Sequence, residues 1–188
     1  MDLASLADQS SNVRPYDYAF DTESILNVRS SRFHNITIAQ AGSLRMLRFD
    51  TLGVEGLIVV ENPLVVLFGY MRLQLLCLLW NSKPERVLVL GLGAGILPRI
   101  LHYLSPTTLI DVVEIDAAVI DVARQYFYFH KNSQTRVSNE DGRERHELRS
   151  RRARAPRVLW MSFLKRKCIF YCHTVGQSCL VITFTVLH

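Results

Sequence analysis

VLVLGLGAGILPRI, Val87 to Ile100, decides the fold. The unbroken apolar run Val87–Leu90 is the pattern of a parallel strand covered on both faces. Gly91, Gly93 and Gly95 follow at alternate positions. Glycines so placed let the backbone leave a strand sharply and let a ligand approach the main chain. Ile96 to Tyr103 then reads as a helix, with Pro98 in its first turn, where a missing N–H does no harm. The start of such a helix offers unpaired N–H groups and a positive end. Working outward, LIDVVEID (109–116) is a second strand, Ala117 to Phe129 a second helix, and TRVSNEDGR (135–143) a short third strand ending in an acidic-glycine turn. This alternation predicts a doubly wound α/β domain. Its parallel strands would lie near 86–90, 109–114 and 134–138, joined by right-handed crossovers.

Upstream, FHNITIAQ (33–40) and GSLRMLRFD (42–50) alternate in the period of strands, and Gly42-Ser43 suits a hairpin turn between them. GLIVVE (56–61) supplies a third strand. The apolar stretch LVVLFGYMRLQLLCLLW (64–80) contains Arg72 and Gln74, which predicts a buried helix rather than a membrane span. Four segments result: a polar, loose segment 1–30, a β-hairpin unit 31–61, a partial nucleoside-binding domain 62–142 and an atypical basic tail 143–188. The first residues, MDLASLADQSSNVRPYDY, lack the apolar core of a signal peptide.

Charge follows the same division. Residues 1–142 carry 12 Lys/Arg against 15 Asp/Glu, whereas residues 143–188 carry 10 against 2. The basicity of the chain therefore belongs to its tail, and a nucleic-acid partner is not expected. RSRRARAPR (149–157) reads as a solvated charge run, and the apolar end that follows Lys167 is too diluted by Gln177, Ser178 and threonines for an anchor. Cys168, Cys172, His173 and Cys179 are not spaced as a zinc site, so no metal is expected. Unpaired thiols fit a reducing cytoplasm.

Two carboxylates give the glycine turn a purpose. Glu114 ends the second strand 19 residues after Gly95, where a carboxylate can accept from both hydroxyls of a ribose. Asp141 ends the third strand, at the same carboxyl edge. Each has a plainer reading: Glu114 as a helix cap, although Asp116 is better placed for that beside Ala117, and Asp141-Gly142 as a simple turn. Pro98 stands where a third glycine would complete G-x-G-x-x-G after Gly93 and Gly95. That disfavours a dinucleotide and fits an adenosylmethionine-type molecule, which has no pyrophosphate to bind.

RVLVLGLGAGILPRIL (86–101), IDVVEIDAAVIDVARQYF (110–127) and RVSNEDGR (136–143) together resemble the spermidine synthase family, the polyamine aminopropyltransferases. RFHNITIAQ (32–40) and SLRMLRFD (43–50) are similar to that family's β-hairpin domain, and LFGYM (67–71) to its linking helix. The resemblance implies a Rossmann-like, adenosylmethionine-dependent transferase fold with the C-terminal half of its sheet incomplete. It implies that Gly91, Gly93 and Gly95 form the cofactor turn, that Glu114 holds the ribose with Asp116 flanking it, and that Asp141 and Gly142 meet the adenine. Tyr70 falls where the family has a tyrosine near its amine site, and His34 falls at a substrate-side glutamine. The chain departs from the family at Ala94, at Met71-Arg72 and at Val54-Glu55, where acidic or amide residues are usual.

The implied activity is aminopropyl transfer from decarboxylated adenosylmethionine, or a reaction of adenosylmethionine itself, onto a small amine such as putrescine. The alternatives are an adenosylmethionine-dependent methyltransferase and a catalytically inactive, truncated relative. A homodimer is compatible with the resemblance. No catalytic residue is assigned, because the family's base lies in an Asp-x-x-Asp motif after the fourth strand. This chain has RERHELRSRRARAPRVLWM (143–161) there, and no acid beyond Glu147. So abrupt a change is expected of a truncated or frameshifted reading of a longer gene, with impaired activity.

Overall fold

The computed structural model describes residues 23–50, 53–80, 83–142, 168–175 and 179–186. The chain separates into two compact units, neither continuous in sequence. Among the described residues, the first comprises those within 1–72, 93–100 and 116–130, and the second those within 73–92, 101–115 and 131–188.

The first unit is built on a four-stranded antiparallel meander: β1 (Ser24–Ser30), β2 (Asn35–Ala41), β3 (Leu44–Phe49) and β4 (Val54–Val59), in that spatial order. The turn foreseen at Gly42-Ser43 joins β2 to β3, with Gly42 at φ 56. Register explains the burial on both faces. Ala39, Met46 and Leu57 form one cross-strand row, packed in a cluster with Leu44, Val65 and Leu67. Ile38, Leu47 and Gly56 form the neighbouring row on the opposite face, where Gly56 approaches Ala94 so closely that an added Cβ would lie 2.6 Å from the alanine's own. β1 lies within the segment expected to be loose. Its residues Ile25 and Val28 are exposed, so no apolar alternation marks it as a strand.

The second unit holds a sheet in the order β7-β6-β5-β9-β8, with β5 (Arg86–Leu90), β6 (Leu109–Glu114), β7 (Thr135–Asn139), β8 (Cys168–Val175) and β9 (Cys179–Val186). As predicted, β5, β6 and β7 are parallel, Arg86 pairing with Leu109 and Ile110 with Thr135. Val87 to Leu90 are all buried, as their unbroken apolar run requires. β7 begins at Thr135 because the Asn132 side chain first accepts from the N–H groups of Gln134 and Thr135, closing a turn. Two strands lie where neither apolar period predicts an element. β9 pairs in parallel with the other edge of β5, and β8 returns antiparallel to β9. The edge expected to stay short of strands is therefore paired. The basic run 143–157 and residues 1–22 lie outside the described residues.

Four helices are described: α1 (Gly69–Leu75), α2 (Cys77–Trp80), α3 (Ile96–Leu104) and α4 (Ala117–Tyr126). The single helix predicted across 64–80 is thus two short ones, and its first residues run in an open turn in which Val65 N–H bonds to Asn62 O. The Arg72 side chain caps the Val66 carbonyl at 3.1 Å, holding that turn. α4 stops at Tyr126, short of Phe129, because Tyr128 takes a positive φ of 55 and Phe129 N–H turns back to Ala123 O. Among the described residues no helix is long and apolar enough to cross a membrane.

Candidate functional site

At the carboxyl end of the parallel strands the second unit gathers Gly91, Glu114 and Gly142. Gly91 N–H donates to Val113 O at 2.8 Å, so the turn begins tied to β6. The next amide, of Leu92, donates to Glu114 Oε2 at 2.8 Å. Glu114 is 8% exposed, and a carboxylate that deep needs such donors. It therefore shapes the glycine turn whatever else it binds, a third role besides the ribose contact and the helix cap weighed from sequence. The main chain at Glu114 is fixed as well: Asn139 Nδ2 donates to the carbonyls of Glu114 and Ile115 at 2.9 and 2.8 Å, and Glu140 N–H donates to Glu114 O. Asp141 and Gly142 follow, both half-buried, and a Cβ at Gly142 would sit 3.3 Å from a Leu90 methyl.

The first unit holds the remaining candidates. Gly93, at φ +53, faces open space, whereas Gly95, at φ +69, has its missing side chain replaced by the ring of Phe129, 2.8 Å from where a Cβ would be. Of these two glycines, Gly93 has open space beside its main chain, whereas Gly95 serves packing. Asp116 is the N-cap of α4, its Oδ1 accepting from Ala118 N–H at 2.9 Å, the role its place before Ala117 foretold. Tyr70 donates its hydroxyl to Glu55 O at 3.1 Å and stacks on Phe68. His34 stacks on Phe49, with centroids 4.6 Å apart, and its Nδ1 lies 3.4 Å from Asp50 Oδ2.

Three participants escape a sequence reading: the Leu92 amide, Asn139 and Ser31, whose hydroxyl meets Asp116. Leu92 and Asn139 stand within quoted stretches, the glycine turn and the third strand, but neither is read there for the bond it makes. Charge on the first unit is also tuned. Burial lowers the Arg99 guanidinium from its ordinary value to about 10, while its Nη atoms reach the carbonyls of Pro63 and Phe127. The Asp50 carboxyl is held below its ordinary value by the Asn35 backbone N–H, with His34 and the Asn35 side chain adding to the effect. Among the described residues no group of His, Cys, Asp and Glu is arranged to hold a metal ion.

Residues 72–145, which contain the glycine turn, Glu114 and the acidic-glycine turn, match the spermine/spermidine synthase domain. Over these residues the chain belongs to the spermine/spermidine synthase family. A polyamine aminopropyltransferase of Vibrio vulnificus is 34% identical over 130 residues, which is 67% of this chain and 44% of that protein. An eEF1A lysine and N-terminal methyltransferase of Mus musculus is 35% identical over 89 residues, 47% of this chain and 11% of the relative. A probable spermidine synthase from Corynebacterium glutamicum has the same fold, with a TM-score of 0.57 at 21% identity, covering 66% of this chain and 47% of that one. The chain thus spans less than half the length of each of these relatives.

Proposed function

We propose that this spermidine synthase-like chain binds decarboxylated adenosylmethionine, and that the family's reaction here is aminopropyl transfer to a small diamine such as putrescine. The observation that carries the reading is the buried Glu114 carboxylate at the end of β6, bonded to the Leu92 amide of the glycine turn. This joins turn and carboxylate into one preformed corner, as a nucleoside needs. In the proposed complex Glu114 accepts from the ribose hydroxyls and Asp141 accepts from the adenine amine.

In the transfer, the amine nitrogen forms a bond to the methylene beside the sulfonium, the C–S bond breaks, and methylthioadenosine leaves with the bonding electron pair. A primary ammonium has a pKa of about 10, so a proton must first pass to a carboxylate or to water. Glu114 and Asp141 are committed to the nucleoside in this reading. Residues 143–188, where the family's base would follow, hold 10 Lys/Arg against 2 Asp/Glu. Such a segment repels a cationic amine, and transfer by this chain is accordingly expected to be slow.

Methyl transfer from adenosylmethionine is the second reading. Ala94 in the glycine turn and the mouse methyltransferase's 35% identity favour it. Calorimetry with decarboxylated adenosylmethionine, adenosylmethionine and methylthioadenosine ranks the two. Charge-assisted hydrogen bonds are worth about 1.5–3 kcal/mol, so Glu114→Ala should weaken binding about tenfold or more. Parent-like affinity in folded Glu114→Ala would discard the ribose assignment, and tighter binding of adenosylmethionine would favour the methyl donor.

A further inference from the structure

Asn139, the last residue of β7, lies exposed at the carboxyl end of the parallel strands, in register with Glu114 of β6. Its side-chain amide donates to two carbonyls, Glu114 O at 2.9 Å and Ile115 O at 2.8 Å. Successive carbonyls of an extended strand point to opposite sides of it. One amide reaches both here because the chain leaves strand geometry after Glu114. Glu140 N–H also donates to Glu114 O, at 3.1 Å, so this oxygen receives two donors for its two lone pairs. On its other side β6 is tied to the glycine turn. Gly91 N–H donates to Val113 O and Leu92 N–H to Glu114 Oε2, both at 2.8 Å. Every residue in this chain of contacts belongs to the second unit. Glu114 is thus held by its carbonyl from the side of β7 and by its carboxylate from the side of β5.

We infer that Asn139 is a positioning residue for the Glu114 carboxylate, and through it for the adenosyl ribose; this rests on the adenosyl reading above. The two bonds from Asn139 fix the peptide plane that follows Glu114, and the bond from Gly91 N–H fixes the one that precedes it. With both planes held, the Cα–Cβ bond of Glu114 has one direction, along which the buried carboxylate meets the Leu92 amide. Hydrogen bonds weaken steeply as their angle departs from linearity, so a small tilt at the Glu114 Cα is felt at Oε2. The β7 backbone gives the following plane one donor, through Glu140, and the Asn139 side chain adds two more bonds. Because Asn139 is exposed, removing its amide opens no cavity, and what it contributes is orientation rather than packing.

The test is Asn139→Ala in the full chain, read by amide exchange and by calorimetry with methylthioadenosine, with the melting temperature recorded alongside. Without ligand, exchange at the Leu92 amide, the donor to Glu114 Oε2, should quicken about fivefold relative to Leu88 within β5, the net worth of one ordinary hydrogen bond. Methylthioadenosine should bind the variant more weakly by about the same factor. A merely structural asparagine would lower the melting temperature, speed exchange at Leu92 and Leu88 alike and leave the affinity unchanged. Parent affinity in the folded variant would overturn the inference while leaving the adenosyl reading intact. Weaker binding with Leu92 exchange unchanged would overturn it too, since Asn139 would then act otherwise than through Glu114. One measurement needs no variant: by reciprocity, bound methylthioadenosine should slow exchange of the Asn139 side-chain amide protons in the parent. Unchanged exchange there would also overturn the inference. If the parent binds none of the adenosyl compounds, the adenosyl reading itself falls, and the role of Asn139 with it.

Discussion

Gly93 and Gly95 share a left-handed backbone but differ in what lies where a side chain would go. An L-residue in that conformation costs roughly 1–2 kcal/mol, and at Gly93 nothing is added to this, since the space is open. At Gly95 a Cβ would press on the Phe129 ring at 2.8 Å, and forcing extra atoms into a packed site costs about 1–3 kcal/mol more. Gly95→Ala should therefore lose clearly more stability than Gly93→Ala in chemical denaturation. Equal losses would mean that the Phe129 ring moves away freely. The same comparison separates two glycines that look equivalent in the sequence. Their spacing announces a turn, but only the position of Phe129, 34 residues on, decides which of them is spent on packing.

Among the elements, the pairing of β2 with β3 carries its own acid sensitivity. Asp50, just past β3 at a positive φ of 51, accepts from Asn35 N–H at 2.9 Å and from Asn35 Nδ2 at 3.1 Å, and its own N–H donates to Asn35 O. Its carboxyl titrates below the usual 3.8, chiefly through the Asn35 backbone bond. A depressed folded-state value means that the carboxylate's contribution is complete above the unfolded value and is lost as pH falls through the folded one. Thermal melts should thus show a component of stability that fades below about pH 4, and Asp50→Asn should flatten that acid limb. An unchanged limb in the variant would assign the effect to other carboxylates. How far such elements can be read from sequence varies with their surroundings. β2, β3, β5 and β6 are legible because their apolar residues face a core, and the N-cap at Asp116 because a short acidic residue precedes an apolar helical run. β1 is not, since Ile25 and Val28 lie exposed on it. The helix predicted over 64–80 fails for another reason: its continuous apolar run fits a buried helix and a buried turn equally. Of the candidate site, the carboxylates and glycines carry a local signal. The Leu92 amide and the Ser31 hydroxyl carry none, because their roles depend on partners far along the chain.

For the whole chain, the adenosyl reading has a thermodynamic consequence that needs no assay of turnover. A ligand that binds only the folded state at 100 times its Kd adds about 2.7 kcal/mol of stability. For a chain of 188 residues that is a rise in melting temperature of roughly 5–11 °C. Methylthioadenosine should produce this shift, and Glu114→Ala should reduce it at the same ligand concentration. A flat response at saturating methylthioadenosine would argue against an adenosyl site. The order of the parallel sheet bears on how the molecule is made. β5 is its central strand, yet one of its two neighbours arrives last: Arg86 pairs with Cys179, 93 residues later. At ordinary synthesis rates of about 5–20 residues per second, roughly 5–20 s pass between the emergence of those two strands. Through that interval β5, β6 and β7 can associate while one side of β5 displays unpaired amides and carbonyls beside the apolar run Val87–Leu90. A nascent chain in that state is a template for any extended segment it meets, so the yield of folded protein should depend on chaperones that shield strand edges and on how fast the ribosome crosses the basic stretch between Gly142 and Cys168.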